Sequence, residues 1–367
     1  MGVLEELTRP AGDEDTVGGV RARLVAAPES TSQASELIKA SQDLTVVVRG
    51  NGTKLDWGPP PRRLDLIIDT KRITGLVEHA AGDLITIVRA GTPLDDLDLG
   101  DQQLALDGPP HATIGGTVAA GTSGPRRLLY GTGRDLLIGI TIVRPDGVVA
   151  KSGGKVVKNV AGYDLGKLFH GSYGTLGLIT ECAFRLHPEP AAALFVRLPT
   201  ADAAPVLAAQ VVPAAIEVDS ATGEMAVLLE GTKAGVRERA AKLAGDRGEV
   251  TDEAPAWWGV PPEGPILVKL GVPISKVPEL LAGGSAIRGS AGTGVLYAGA
   301  ADITEVEALR ARCVRLEGHA VILAAPPGVV EILDMWGPTP GLALMRRIKD
   351  QFDPGHRFAP GRFVGGI

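Results

Sequence analysis

Arg49-Gly50-Asn51-Gly52-Thr53 is a glycine-containing segment that directly follows the apolar run 44–48. Two glycines allow the backbone to adopt positive φ angles, so that successive N–H groups can converge on one point. Such a nest of amides binds a diphosphate without a lysine, and Thr53 adds a hydroxyl donor. A turn that merely ends a strand has the same composition. The segment therefore predicts either a phosphate-binding loop or a strand-terminating turn.

Two familiar nucleotide-binding motifs are incomplete in this sequence. A P-loop would need Ser or Thr after Gly154-Lys155, where Val156 stands. A G-x-G-x-x-G fingerprint that starts at Gly50 would need a third glycine where Leu55 stands. These departures disfavour both a P-loop ATPase and a Rossmann-type dinucleotide site.

Two further stretches, 108–133 and 147–177, are also dense in glycine. The first contains Thr113-Ile114-Gly115-Gly116-Thr117, and the second ends in Gly171-Ser172-Tyr173-Gly174-Thr175. Small residues and hydroxyls at such density let a wide ligand lie directly against the backbone. Three loops of this kind within about 130 residues fit one long cofactor that runs between layers of sheet.

Regular elements are expected on both sides of these segments. They are strands 20–27, 44–48 and 65–69, a helix over 32–40, a hairpin of 75–80 with 84–90, and a short helix with Thr92 as N-cap and Pro93 at its first position. Helical periodicity is weak between 107 and Leu165, so we expect loops there around a single strand at 136–143. Strand–helix–strand units would thus deliver the glycine loops at strand ends.

Pro188-Glu189-Pro190 predicts a domain boundary, and the pattern of expected strands and helices changes after it. Strands and helices then alternate as expected for an α+β domain with a mostly antiparallel sheet. A last helix, over about 340–351, would end at Phe352-Asp353-Pro354. The sequence therefore predicts an α+β protein with domains at 1–190 and 191–335 and a C-terminal helix and tail at 336–367.

Composition and charge exclude several classes of protein. The 367 residues include 37 Lys or Arg and 43 Asp or Glu, a net charge of −6 that argues against non-specific binding of nucleic acid. Cys182 and Cys313 are far apart, which excludes a disulfide framework and a cysteine-rich iron–sulfur site in this chain. The six histidines are isolated, so no metal site is expected. A cytoplasmic location, with no membrane-spanning segment, is the simplest expectation.

Taken together, the glycine segments resemble the FAD-binding domain of the vanillyl-alcohol-oxidase/PCMH superfamily, and within it the GlcE family of glycolate oxidase FAD-binding subunits. The resemblance covers about 20–190. It returns at the C-terminus, where Phe352-Asp353-Pro354 and Pro360-Gly361-Arg362 are similar to the family's F-D-P…N-P-G-R ending. It implies a PCMH-type domain of two α+β subdomains, a smaller α+β cap domain with an antiparallel sheet, and a tail that returns to the first domain.

The resemblance also implies which residues bind FAD. They are Arg49, Gly50, Asn51, Gly52 and Thr53 at the diphosphate, Thr113, Ile114, Gly115, Gly116, Thr117, Gly121, Ser123 and Gly124 along the flavin and ribityl region, and Gly171, Ser172, Gly174, Thr175, Gly177 and Ile179 along the rest. Members with a histidine-linked flavin carry His where Thr53 stands, so the FAD is expected to be non-covalent. Ala359 stands where the family usually has Asn, which leaves that polar contact open.

The implied activity is oxidation of glycolate to glyoxylate by a 2-hydroxy-acid dehydrogenase complex. Its implied partners are a GlcD-type flavoprotein subunit and a GlcF-type iron–sulfur subunit, through which the chain would reach the inner face of the membrane. Three alternatives stay open. The chain is a stand-alone flavoenzyme for a 2-hydroxy acid or alcohol, a UDP-N-acetylenolpyruvoylglucosamine reductase, or a non-catalytic flavin-bearing scaffold.

Oxidation of a 2-hydroxy acid needs a base for the hydroxyl proton and a cation for the carboxylate. His356, Arg357 and Arg362 lie in the tail that is expected near the flavin, and they are the catalytic candidates. A helix-terminal turn would equally explain His356, and solvent or phosphate contact would explain both arginines. Weaker candidates are His111, Arg126, Arg127, Lys158, Asn159, the pair Tyr163-Asp164 and the pair Trp257-Trp258.

Overall fold

The computed structural model describes residues 3–154 and 164–367 of the chain. Two compact units divide it: unit 1 comprises Met1–Ser123, Thr132–Pro188 and Pro338–Ile367, and unit 2 comprises Gly124–Gly131 and Glu189–Gly337. Helices accompany β-sheets in both units, which confirms the α+β fold class.

The described residues form the following elements in chain order. The strands are β1 Thr8–Pro10, β2 Thr16–Val17, β3 Val20–Arg21, β4 Leu24–Ala26, β5 Val46–Arg49, β6 Leu66–Asp69, β7 Leu76–Ala80, β8 Ile85–Arg89, β9 Gln102–Gln103, β10 Leu137–Val143, β11 Val149–Gly153, β12 Leu178–Arg185, β13 His187–Pro188, β14 Ala192–Leu198, β15 Ala215–Asp219, β16 Glu224–Gly231, β17 Glu249–Thr251, β18 Ile266–Gly271, β19 Ile287–Ser290, β20 Val295–Ala300 and β21 His319–Ala324. The α-helices are α1 Val3–Leu7, α2 Thr31–Ala40, α3 Ile114–Ala120, α4 Arg127–Tyr130, α5 Gly133–Leu136, α6 Gly166–Phe169, α7 Ala204–Ala208, α8 Lys233–Ala244, α9 Val277–Leu281, α10 Ile303–Arg315, α11 Pro327–Val330 and α12 Leu342–Phe352. Short 3-10 helices occupy Ala81–Asp83, Leu94–Asp96, Ile274–Lys276 and Val364–Gly366.

A small sheet of unit 1, in the order β1-β4-β6-β5, carries the first glycine segment. Both β4 and β5 run parallel to the central strand β6, whose four residues are all buried. The connecting helix α2 begins at Ser30, whose hydroxyl accepts a hydrogen bond from Gln33 N, and it buries Leu37 and Ile38. Because β5 ends at Arg49, the loop that follows begins at the carboxyl edge of this sheet.

The second sheet of unit 1 is antiparallel, in the order β11-β10-β12-β8-β7. The predicted hairpin is present as β7 and β8. The predicted N-cap at Thr92 is wrong, because its hydroxyl accepts from Gly75 N at 2.9 Å and the following turn is a 3-10 helix that starts after Pro93. Helix α3 lies where the sequence predicted only loop.

The C-terminal tail extends the small sheet, as the expected return to the first domain requires. Phe358 bridges Val46 of β5 in parallel. Val46 N donates to Arg357 O at 2.8 Å, and Ala359 N donates to Val46 O at 2.7 Å. The tail thus joins β5 on its free side and leads the chain back to the first glycine segment.

Lys349 of α12 is fully buried and holds the tail in place. Its ammonium group donates to the Asp353 carboxylate at 2.6 Å, to Thr175 O at 2.7 Å and to Phe358 O at 2.9 Å. Asp353 also accepts from Phe358 N at 2.8 Å. One charge pair therefore fixes the helix, the third glycine segment and the tail together.

Unit 2 is built on one antiparallel sheet in the order β17-β14-β16-β15-β19-β20-β18-β21. Its core consists of apolar side chains such as Val227, Val268 and Leu296, which pack with Val236 of α8 and Leu309 of α10. The antiparallel α+β architecture expected after the Pro188-Glu189-Pro190 segment is confirmed.

We expect Lys349→Met to lower the free energy of unfolding by about 3–5 kcal/mol, because the substitution leaves a buried carboxylate and two carbonyls without their donor. Urea denaturation followed by circular dichroism measures this loss. Arg347→Met replaces an exposed residue of the same helix and should change stability by less than about 0.5 kcal/mol. Equal stability of the two variants would show that the pair does not hold the tail.

Candidate functional site

A cleft that opens to solvent, with a cavity volume of about 100 Å³, lies in unit 1 at the carboxyl end of β5. All three glycine segments contribute to it. Its lining comprises Val47, Val48, Arg49, Gly50, Asn51, Gly52, Thr53, Lys54, Leu55, Thr70, Ala90, Thr113, Gly115, Gly116, Ala119, Ala120, Tyr173, Gly174, Gly177, Ile179 and Arg362. Residues that are more than a hundred positions apart in the sequence therefore share one wall.

The backbone amides of residues 50–54 are donors without an acceptor in the described part of the chain. Within the described residues, none of these N–H groups has a protein acceptor, whereas the next amide, Leu55 N, donates to Gly52 O at 3.1 Å. Main-chain donors are strongly hydrogen-bonding groups, and successive amides in a turn form an anion-binding concavity. This row can therefore bind an anionic group such as a diphosphate.

The two glycines of this loop are required for different reasons. Gly52 has φ +77°, which disfavours any residue with a side chain. Gly50 lacks a positive φ, so the expectation that both glycines adopt one is wrong for Gly50. A Cβ at Gly50 would instead lie 2.2 Å from Thr113 Oγ1. Glycine at position 50 lets the first loop pack directly on the second.

Helix α3 forms a second wall whose own amides are already satisfied. The Thr113 hydroxyl caps it by accepting from Gly116 N at 3.2 Å. Ile114 N donates to Thr92 O at 2.9 Å, and Gly115 N donates to Ala90 O at 2.7 Å. A Cβ at Gly115 would lie 2.7 Å from Ala90 Cβ, so this helix lies directly on β8. We conclude that α3 shapes the cleft, while the unmatched donors belong to residues 50–54.

The third glycine segment supplies a further wall. Tyr173 adopts φ +56° and its amide donates to Ala119 O at 2.8 Å, while its ring packs on Phe363 with 5.5 Å between centroids. Gly174, with φ +72°, has open space where a Cβ would project. Thr175 and Ser172 point their hydroxyls at nearby carbonyls instead.

The side chain of Arg49 is held beneath the loop by two carboxylates. Its guanidinium lies 3.1 Å from Asp15 and 3.0 Å from Asp69. Burial would raise the pKa of Asp15, but hydrogen bonds from Arg9, Gly12 and Arg49 outweigh it and lower that pKa to about 2. Arg49 thus anchors the start of the loop through its side chain and lines the cleft at the same time.

Among the three catalytic candidates of the tail, Arg362 lies in the cleft lining. His356 is half exposed and contacts Asp350 at 2.8 Å on the surface, outside that lining. Arg357 is buried and its guanidinium donates to backbone carbonyls of Ile38, Ser41, Leu44 and Pro145. It therefore ties the end of α2 to the tail and is not directed at the cleft.

The sequence of this chain is similar to those of known FAD-binding proteins. The sequence model of a family described as "FAD binding domain" matches residues 22–153. That range contains the first two glycine segments. Residues 22–153 are an FAD-binding domain. The PCMH-type recognition and the expectation of FAD as the cofactor are confirmed.

Proteins with similar sequences occur in bacteria, archaea and yeast. Glycolate oxidase subunit GlcD of Bacillus subtilis is 33% identical over 53% of this chain and 44% of its own length. Glycolate oxidase subunit GlcE of Escherichia coli is 38% identical over 46% of this chain and 50% of its own length. A D-lactate dehydrogenase of Archaeoglobus fulgidus is 35% identical over 45% of this chain and 39% of its own length. The chain thus matches about half the length of these relatives.

A solved structure of alkyldihydroxyacetonephosphate synthase superposes on 93% of this chain and 77% of its own, with a TM-score of 0.66 and 16% sequence identity. At that identity the likeness concerns the fold. The fold shared with that synthase therefore extends well beyond the matched residues 22–153.

Several residues that the resemblance assigned to FAD lie outside the cleft lining. They are Ile114, Thr117, Gly121, Ser123, Gly124, Gly171, Ser172 and Thr175. Ile114 and Thr117 are buried in α3, and Gly121 ends that helix against Gly171. Gly124 belongs to unit 2. Ile114 and Thr117 therefore support the α3 wall from within and do not form its surface.

The weaker candidates also have definite positions. His111 is exposed and its amide donates to Asp95 at 2.8 Å. Arg126 and Arg127 lie in unit 2. Trp257 donates to Glu224 at 3.3 Å and Trp258 packs edge-on against Phe195, so this pair contributes to a local cluster. Lys158, Asn159 and Tyr163 lie outside the described residues.

Lys54 and Tyr173 also line the cleft, although the sequence did not single them out as site residues. Burial lowers the pKa of Lys54 to about 8. Its position directly after Thr53 was an available signal, as was that of Tyr173 between Ser172 and Gly174. In the described ranges, no helix is both long enough and apolar enough to cross a membrane.

We expect Gly50→Ala to reduce the FAD content of the purified protein, because its Cβ would overlap the Thr113 hydroxyl that caps α3. The absorbance ratio of flavin to protein measures the loss. Gly82→Ala is the matched control, since a Cβ there meets no atom within 4 Å. If the two variants retain equal amounts of FAD, close packing of the first loop on α3 is not needed for binding.

We expect Asp15→Asn to lower the free energy of unfolding at neutral pH by about 2 kcal/mol. The reason is that the pKa of Asp15 in the folded protein, about 2, lies below its ordinary value. A lowered carboxyl pKa stabilises the fold above about pH 4, and this contribution disappears as the pH falls toward about 2. The variant should therefore show a flatter acid limb in pH-dependent denaturation. Asp13→Asn, whose carboxylate is 95% exposed, serves as the control. An unchanged acid limb in Asp15→Asn would contradict the assignment.

Proposed function

We propose that this chain is the FAD-binding subunit of a 2-hydroxy-acid dehydrogenase complex of the glycolate oxidase type. The observation that carries the proposal is the cleft, in which the unmatched amides of residues 50–54 meet a glycine-lined wall within a domain of FAD-binding sequence. The similarity to glycolate oxidase subunits and a D-lactate dehydrogenase supports the class of substrate.

The residues present fit FAD along the length of the cleft. In the proposal, the amides of residues 50–54 bind the diphosphate, because they are the donors in need of an anion. Thr113, Gly115 and Gly116 line the middle of the cofactor, since the absence of side chains at 115 and 116 leaves space against α3. Gly174, Gly177 and Ile179 line the opposite wall.

Bound FAD would supply a two-electron acceptor for the hydride of an alcohol carbon. The protein's contribution is to bind this cofactor, exclude water from it and set its charge environment. The titratable side chains in the described lining are Arg49, Lys54, Tyr173 and Arg362. Three cations and a phenol suit an anionic cofactor, and this composition supports a cofactor-binding subunit.

The proposed partners are a GlcD-type flavoprotein subunit and a GlcF-type iron–sulfur subunit. In this arrangement glycolate is oxidised to glyoxylate, and the electrons leave through the partners. The chain would act in the cytoplasm and reach the inner face of the membrane through them. The similarity to both GlcD and GlcE supports a complex that contains two related flavoproteins.

Anaerobic titration tests this function. We expect the isolated FAD-loaded chain to keep its long-wavelength flavin absorbance with glycolate or D-lactate, and to lose it when co-purified GlcD-type and GlcF-type partners are present. Acetate, which lacks the hydroxyl group to be oxidised, is the control ligand. Bleaching of the isolated chain would favour the stand-alone enzyme, and bleaching by NADPH would favour the reductase. Flavin that stays oxidised in every mixture would contradict our proposal and favour the non-catalytic scaffold.

A further inference from the structure

We propose that Arg362 of the C-terminal tail is the ionic partner of the FAD diphosphate. This inference rests on FAD binding in the cleft, which is part of the proposed function. It changes the role of Arg362 from a candidate for the substrate carboxylate to a residue that binds the cofactor.

The guanidinium of Arg362 is buried and only partly hydrogen-bonded. Arg362 is 4% exposed and lines the cleft. Its Nη2 donates to Leu55 O at 2.8 Å and to Trp57 O at 2.7 Å. Its Nη1 is buried and has no hydrogen-bond partner among the described residues. One face of this buried cation thus remains available for an acceptor.

The positive charge of Arg362 is not balanced by an ion pair. Within residues 3–154 and 164–367, no carboxylate forms an ion pair with Arg362. Burial lowers the pKa of Arg362 to about 10, so the side chain stays protonated at neutral pH. A buried charge is stable only when it is paired and hydrogen-bonded. Asp56 interacts favourably with the Arg362 charge but forms no ion pair with it among the described residues, and an anionic ligand in the cleft would add a direct counter-charge.

The position of Arg362 next to the loop at 50–54 indicates which anion it would bind. The bonds to Leu55 O and Trp57 O place the guanidinium beside the end of the loop whose amides, 50–54, also have no acceptor in the described part of the chain. Arg362 and the amides of residues 50–54 thus belong to neighbouring parts of one cleft lining. Arginine suits phosphate because its planar fork can donate to two oxygens at once. The diphosphate is the part of FAD that carries this charge.

The tail makes this contact possible. Arg362 follows Phe358, which is fixed to β5 by the bridge to Val46 and to α12 by Lys349 and Asp353. Lys349 and Asp353 are therefore positioning residues for the cofactor. The ordered tail and the bound diphosphate should stabilise each other, because each provides contacts that the other needs.

The test compares ligands that have or lack the diphosphate. Dissociation constants of the deflavinated full chain are measured by fluorescence for FAD and riboflavin, and by competition against FAD for ADP. We expect Arg362→Met to weaken FAD and ADP by roughly tenfold to a hundredfold, the range of a charge-assisted hydrogen bond, and to leave riboflavin unchanged. Arg347→Met, on the exposed face of α12, should change none of the three.

If circular dichroism shows that Arg362→Met does not fold, Arg362→Lys is measured instead, because it keeps the positive charge. It should bind FAD with an intermediate affinity and a preserved salt dependence, whereas loss of the charge should flatten that dependence. Equal weakening of FAD and riboflavin, or no weakening of FAD, would overturn the proposal. Failure of the unmodified chain to bind FAD would instead overturn the proposed function, so the two failures are distinguishable.

Discussion

The fully buried ammonium group of Lys349 is the interaction on which the cleft depends. Removing such a charge from water is expensive, and three acceptors offset the expense: the Asp353 carboxylate and the carbonyls of Thr175 and Phe358. Burial lowers the pKa of Lys349, and the Asp353 charge opposes that shift. Because these acceptors belong to the glycine segment, the tail and the helix itself, the charge is satisfied only when all three are in place. Assembly of the cleft is therefore cooperative.

This constraint explains why the binding surface is made mainly of backbone. Once the tail is fixed on β5, the loop at 50–54 packs against Thr113 through Gly50, which has no Cβ to separate them. The amides of the loop have no acceptor among residues 3–154 and 164–367, so water or a ligand must accept their hydrogen bonds. Glycine therefore serves close packing at position 50 and a left-handed conformation at position 52.

The sequence predicted the cleft's loops better than its side chains. Residues 49–53, 113, 115–116, 174, 177 and 179 were recognisable because glycine at these spacings indicates backbone geometry, which is local. Helix α3 was missed, because Gly115-Gly116 lowers helical propensity and only its Thr113 cap signals a start. Arg357 and Arg362 were indistinguishable in sequence. Tertiary contacts alone direct the first to backbone carbonyls and the second to the cleft.

The fold similarity covers more of the chain than the match to the FAD-binding sequence model, and close packing explains the difference. The FAD-binding sequence model ends at residue 153, while the fold of alkyldihydroxyacetonephosphate synthase covers 93% of the chain at 16% identity. Loops that hold a cofactor by close backbone contacts tolerate few residue types, because a Cβ at Gly50 or Gly115 would collide with a neighbour. The sheet of unit 2 needs only apolar side chains of suitable volume, such as Val227 and Leu296, and many sequences provide them. Many combinations of apolar side chains can therefore satisfy the core of unit 2.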